Sequence, residues 1–235
     1  MTKQFMRNLL VCYFFVSFAF ASITVKAKVI GQRGELEQET LAGNAGQANP
    51  AQVPPGFDKV GDLKPTFYWI ALETQSSDPK NRNILDINGG VIARTTARFF
   101  SELQLEGTGR LLDGRMVNFH QFIQGPNGRE IRYRICGPEA PYGYGYGDRP
   151  LTPFRTVAVD PRVIPLDSKI FIPAAVGAKL PDGSIHDGYF DALDIGGAIT
   201  DLRVDVFTSF GDQSQVFIRN GMTNMRAIPV YVRRP

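Results

Sequence analysis

From about residue 60 onward the apolar positions fall in short runs, and turn residues close almost every run. Thr66-Phe67-Tyr68-Trp69-Ile70-Ala71-Leu72 is rich in aromatic and β-branched residues and predicts a buried strand. Phe99, Phe100 and Leu103 fall at helical spacing between Thr96 and Leu103, and Gly107 ends that pattern. Leu111 to Val117 predicts a hairpin around Asp113-Gly114. Met116–Ile123 and Glu130–Ile135 predict two strands joined at Gly125 to Gly128. After Pro153 the strands become short and dense: 156–159, 169–172, 189–193, 203–208 and 227–232, with a hairpin tip near Lys179–Ser184. Asp212–Ile218 predicts a short helix with Asp212 at its N-cap. Many short strands with one or two short helices indicate a mainly β barrel or sandwich.

The first residues read differently. Lys3 and Arg7 precede an apolar stretch, Leu9 to Phe20, and Ala19-Phe20-Ala21 or Val25-Lys26-Ala27 supplies a small-x-small cleavage site. This is the pattern of a secretory signal peptide over residues 1–27. The apolar stretch is short for a membrane span, which needs roughly 20 residues, so no stable span is expected after cleavage. Residues 28–63 are polar and punctuated by Gly and Pro, as in a flexible tether, and a weak helical signal lies at Glu35–Leu41. The globular domain is then expected over 64–235, with no second domain beside it. An exported protein in a periplasm, a cell wall or the medium is the expectation.

Composition narrows the chemistry. Of the two cysteines, Cys12 lies in the leader, and Cys136 alone cannot form an intramolecular disulfide. Removal of Lys3 and Arg7 leaves a formal excess of one positive charge. Such a balance argues against a nucleic-acid partner, which would call for a basic stripe. His186-Asp187 and the distant His120 are not spaced to hold a metal with a third ligand, so no metal or cofactor is expected. Pro141-Tyr142-Gly143-Tyr144-Gly145-Tyr146-Gly147 sets aromatic faces on a permissive backbone; Tyr144 and Tyr146 suit contact with a sugar face or local packing.

Two carboxylates stand inside apolar runs: Asp194 before Gly196-Gly197, and Asp205 between Val204 and Val206. A carboxylate in an apolar setting either finds partners or changes its pKa. Strand alternation sends both valines to the face opposite Asp205.

Residues 156–166 (Thr-Val-Ala-Val-Asp-Pro-Arg-Val-Ile-Pro-Leu), Asp194-Ile195-Gly196-Gly197-Ala198-Ile199 and Arg203-Val204-Asp205-Val206-Phe207 resemble, in order, the three signatures of the three-aspartate (3D) domain. The same signatures occur in the membrane-bound lytic transglycosylase A family, whose cleft-lining segments Phe67-Tyr68-Trp69 with Glu73, and Gly107-Thr108-Gly109, also resemble. The resemblance covers roughly Lys64 to Arg233. It implies a six-stranded double-psi β-barrel that cleaves peptidoglycan glycan strands between N-acetylmuramic acid and N-acetylglucosamine and leaves 1,6-anhydro ends.

The resemblance places the catalytic acid/base at Asp205 and the other signature aspartates at Asp194 and Asp160. Tyr68, Glu73, Thr108, Gly109, Gly196 and Gly197 would meet the sugar. One carboxyl group suffices when the sugar's own C6 hydroxyl is the nucleophile, whereas hydrolysis by water calls for two. That carboxyl group must begin protonated. Ile195 stands where the family carries Thr or Ser, and Asp201 where a small residue is expected. Three alternatives stay open. A non-catalytic glycan-binding or expansin-like cell-wall module shares the barrel; ordinary glycan hydrolysis would leave reducing ends; an aspartic protease would need a homodimer, since only one Asp-x-Gly motif is present.

Overall fold

The computed structural model describes residues 52–126 and 128–235. The expected leader, most of the expected tether and the weak helical signal at Glu35–Leu41 lie outside them. Among the described residues no helix is long and apolar enough to cross a membrane.

The described residues are mainly β, with eleven strands among them: β1 (Asp58–Leu72), β2 (Arg82–Leu85), β3 (Val91–Thr95), β4 (Thr108–Arg110), β5 (Met116–Gly125), β6 (Gly128–Ile135), β7 (Thr156–Val159), β8 (Lys169–Phe171), β9 (Tyr189–Asp194), β10 (Arg203–Phe210) and β11 (Ile228–Arg233). Two α-helices accompany them, α1 (Ala97–Glu106) and α2 (Gln215–Ile218).

β1 is the longest strand and starts before the boundary expected at residue 64. Its first residues are polar and carry Gly61, so they lack a strand signature. Antiparallel pairing with β11, from Asp58↔Val232 to Leu63↔Ile228, makes them a strand. Farther along, β1 runs parallel to β10 (Lys64↔Arg203 to Tyr68↔Phe207), with a register break between Tyr68 and Ile70. Its last residues pair with β4. The hydrogen-bonded order β10-β7-β9-β8-β11-β1 returns to its start through the β10–β1 pairing.

The main core fills the space beside these six strands. Val157, Val159, Ile170, Phe190, Ala192, Val204, Val206, Val230 and Val232 project into it, with Phe217 from α2. Full burial of such side chains contributes roughly 1.5–3 kcal/mol each before entropy is counted. His186 lies in the same core. Its Nδ1 accepts from the Gly188 N–H at 2.9 Å, so the proton sits on Nε2, which donates to the Phe154 carbonyl at 2.7 Å. It is therefore a core residue. Among the described residues no group of three or more His, Cys, Asp or Glu side chains is gathered as metal ligands would be.

The chain between β1 and β7 builds a second lobe with its own core: Ala71, Ile84, Phe99, Leu103, Leu111, Val117 and Tyr133. Its strands are no different in kind from the others, so the sequence pattern does not set this segment apart. α1 packs Phe99 and Leu103 against Gly109, where an added Cβ would lie 2.9 Å from both side chains. Thr96 caps the helix by accepting from the Phe99 N–H, and Gly107, at φ 78°, ends it in the left-handed region. Glu73 belongs to this lobe. It accepts from Thr95 Oγ1 (3.1 Å) and the Leu112 N–H (3.0 Å) and pairs with Lys80 (3.3 Å), its side chain 5 % exposed.

Candidate active site

Asp205 lies in β10 opposite Thr66 of β1 on one side and Ala158 of β7 on the other. Val204 and Val206 are fully buried in the main core, so alternation turns Asp205 out of it, where it is half-buried. Its Oδ1 is buried and makes no hydrogen bond. Burial pushes its pKa up to about 6; the Thr66 hydroxyl, close but outside hydrogen-bond geometry, and Arg203 moderate the rise. An acid poised there exchanges its proton readily near neutral pH.

Asp194 ends β9. Its Oδ2 accepts from the Tyr68 hydroxyl at 3.0 Å and its Oδ1 from the Ile195 N–H at 2.8 Å. Burial again dominates and raises its pKa to about 6; the hydrogen bonds pull it down, and the Asp205 charge adds to the rise. The two carboxyl groups feel each other's charge, so they titrate as a coupled set. Tyr68, buried against both, is held well above its usual pKa and stays a neutral donor.

Asp160 takes a different part. It is 3 % exposed and accepts from the Arg162 guanidinium (2.5–3.1 Å) and from the N–H groups of Arg162 (2.9 Å) and Asp201 (2.8 Å). The Arg162 pairing holds its carboxyl far below the usual range. It is a fixed anion that ties the turn after β7 to the loop entering β10. Asp201, where a small residue was expected, adopts φ 54°, a conformation Asp tolerates better than most side chains.

The Gly-Tyr loop comes to the same place. Asn118 Oδ1 receives the Thr108 hydroxyl (2.7 Å) and the Tyr144 N–H (2.9 Å), and Asn118 Nδ2 donates to the Tyr144 carbonyl (3.2 Å). Gly143, at φ 90°, lies so close that a Cβ would meet Asn118 Oδ1 at 2.5 Å. At Gly145 a Cβ would meet the Leu193 carbonyl at 2.6 Å and Asp194 Cβ at 3.1 Å. The loop thus bridges the second lobe and the end of β9. Tyr144 is engaged locally, its hydroxyl on Glu139 and its ring 4.1 Å from the Arg134 guanidinium. Tyr146, 51 % exposed, is free to meet a ligand.

The structure therefore brings together Asp205, Asp194, Tyr68 and the Gly-Tyr loop, with Gly196 and Gly197 on the loop just beyond Asp194. Thr108 and Gly109 are buried in the frame behind that loop. Glu73 is enclosed in the second lobe and Asp160 is spent on its Arg162 clamp. Burial pushes the Cys136 thiol up to about 11.

One residue went unread in the sequence. Glu106, the last of α1, accepts from the Trp69 N–H at 3.0 Å. Burial, with Asp205, Glu102 and Asp212 adding repulsion, raises its pKa to about 8. The only trace in the sequence is a carboxylate next to Gly107-Thr108-Gly109, which a solvated helix end would also show.

Residues 155–226 match the family model of the 3D domain, the segment that carries Asp160, Asp194 and Asp205. No curated protein matches the chain. Among solved structures, E. coli MltA with bound chitohexaose aligns over 75 % of each chain, with a TM-score of 0.51 at 15 % identity. The membrane-bound lytic murein transglycosylase from Agrobacterium tumefaciens aligns over 74 % of this chain and 73 % of its own, at TM-score 0.49 and 16 % identity. The lytic transglycosylase LtgG of Burkholderia pseudomallei gives 0.41 and 18 % over 73 % and 72 %. The overall fold is that of E. coli MltA.

Proposed function

We propose, starting from a chain whose residues 155–226 form a 3D domain within an MltA-like fold, that the protein is an exported lytic transglycosylase acting on peptidoglycan glycan strands. The ring of β1, β10, β7, β9, β8 and β11 is read as a double-psi β-barrel. The observation that carries the functional reading is Asp205: a half-buried carboxyl group with one buried, unpartnered oxygen and a pKa raised to about 6.

Asp205 begins protonated and gives its proton to the glycosidic oxygen as the bond to C1 breaks. The same carboxylate then takes the proton of the muramic C6 hydroxyl, which closes on C1 to form the 1,6-anhydro ring. The acid ends as it began, and no water is consumed. A single acid/base fits this route, where hydrolysis would need a second carboxylate to activate water. Asp194, held by Tyr68 and Ile195, supplies the neighbouring negative charge that favours the oxocarbenium-like state. Tyr68, Tyr146, Gly196 and Gly197 border the space for the sugars, and Thr108, Gly109 and Asp160 hold that border in place. The leader over residues 1–27 would deliver the protein to the compartment where this substrate lies.

The test is incubation of residues 28–235 with sacculi, followed by mass spectrometry of the released muropeptides. Wild type should release anhydromuramic products, and Asp205→Asn should lower the rate about 10²–10⁴-fold, as loss of a general acid does. Reducing ends would turn the reading to hydrolysis. Binding by both proteins with no product would leave a glycan-binding or expansin-like module.

A further inference from the structure

β1 breaks its register with β10 between Tyr68 and Ile70, so the Trp69 peptide has no regular ladder partner there. A buried N–H without an acceptor is destabilising. Glu106 supplies the acceptor at 3.0 Å, and Glu102, one turn earlier on α1, accepts from Trp69 Nε1 at 3.2 Å. Trp69 is therefore clamped by α1 at its peptide and at its indole. The residue on one side of it is Tyr68, whose hydroxyl binds Asp194; the strand opposite is β10, which carries Asp205.

We propose that Glu106 is a positioning residue of this site, a carboxyl group lent by the second lobe that holds the bulge of β1 and so sets Tyr68 and Asp205 relative to each other. This rests on the reading of Asp205 as the acid. Bulges beside active sites serve to re-aim a side chain, and this one would re-aim Tyr68.

The charged groups that act on Glu106 are all acidic: Asp205 of β10, Glu102 of α1 and Asp212 in the turn after β10. With burial the larger cause, Glu106 remains a neutral acid at pH 7. A neutral carboxyl group still presents its carbonyl oxygen to the Trp69 N–H. Gln keeps that oxygen and stays neutral, whereas Ala offers nothing.

Two measurements test the proposal. In the sacculus assay, Glu106→Ala should lose on the order of 10²-fold in kcat/KM, the penalty of misplacing reacting groups by about 1 Å. Glu106→Gln should recover most of that loss. Equal losses in both variants, or losses that track only a fall in Tm, would overturn the positioning role. The second measurement needs no activity: carbon NMR titration of the side-chain carboxyl groups in the intact protein. Glu106 should titrate near 8 in wild type and at lower pH in Asp205→Asn. Titration near the ordinary glutamate value, or a midpoint indifferent to Asp205→Asn, would overturn the coupling. If the NMR result holds while sacculi stay uncut, the transglycosylase reading fails and the coupling of Glu106 to Asp205 stands.

Discussion

A carboxyl group at position 205 weighs on the fold at neutral pH. Its folded pKa, about 6, lies above the usual aspartate value, so the native state binds this proton more tightly than the unfolded chain does. The stability it confers is complete at low pH and is lost as pH rises through 6. Asp205→Asn removes the loss. The variant should gain about 1–3 kcal/mol over wild type at pH 8 and nothing at pH 4, read by urea denaturation at the two values. A gain at both pH values would assign the effect to packing instead. The direction of Asp205 was legible in the sequence, because Val204 and Val206 must share the buried face of a strand. The confinement of Asp160 by Arg162 was not. The motif names the aspartate, but only the folded turn shows that its charge is spent two residues away. Glu106 was hidden for another reason: its partner, the Trp69 peptide, is released by a register break that no residue pattern encodes.

At the scale of elements, α1 and the β4–β5 and β5–β6 turns follow from local signals: the Thr96 cap, Gly107, Asp113-Gly114 and the turn after Gly125. The start of β1 and the whole of β2 do not, since their strand character comes from partners distant in sequence. The helix expected from Asp212 is only Gln215–Ile218, with Asp212 bonding the Ser214 N–H ahead of it. The Gly-Tyr loop offers the clearest experiment. Its glycines were legible as permissive; what they permit, contact with Asn118 and Asp194, was not. Gly145→Ala places a methyl group 2.6 Å from the Leu193 carbonyl, which is backbone and has little room to yield. The loop must lift away from Asp194. We expect the variant to raise KM for sacculi severalfold while Tm falls by only a few degrees, since the loop adds little to either main core. An unchanged KM would free the loop from any part in binding.

For the molecule as a whole, acid acts through opposed terms. His186 is buried, and although Asp187 lies 4.0 Å from its Nδ1, burial dominates and pushes its pKa down to about 4. Its contribution is complete above the ordinary histidine value and is lost as pH falls from there toward 4. Asp205, Asp194 and Glu106, all with raised pKa values, gain over the same interval. In an Asp194→Asn, Asp205→Asn, Glu106→Gln triple variant that compensation is gone, and stability should fall by about 2–3 kcal/mol between pH 6.5 and 4.5, measured as the shift in urea midpoint. A flat profile in the triple variant would remove His186 from the balance.

The pairing of Asp58 with Val232 also governs how the domain carries load. The chain enters through β1 and leaves through β11 at the same end of one antiparallel ladder. A pull applied between the entering and leaving chain meets the rungs of that ladder one after another, as a zipper opens, and never all at once in shear. The fold yields at that seam first, and once β11 peels away, β8 loses a neighbour and β1 is held only by β10 and β4. Such a pull would thus open the domain from the edge where β1 and β11 meet, and the next ladder to bear it would be that of β1 with β10, the strand that carries Asp205.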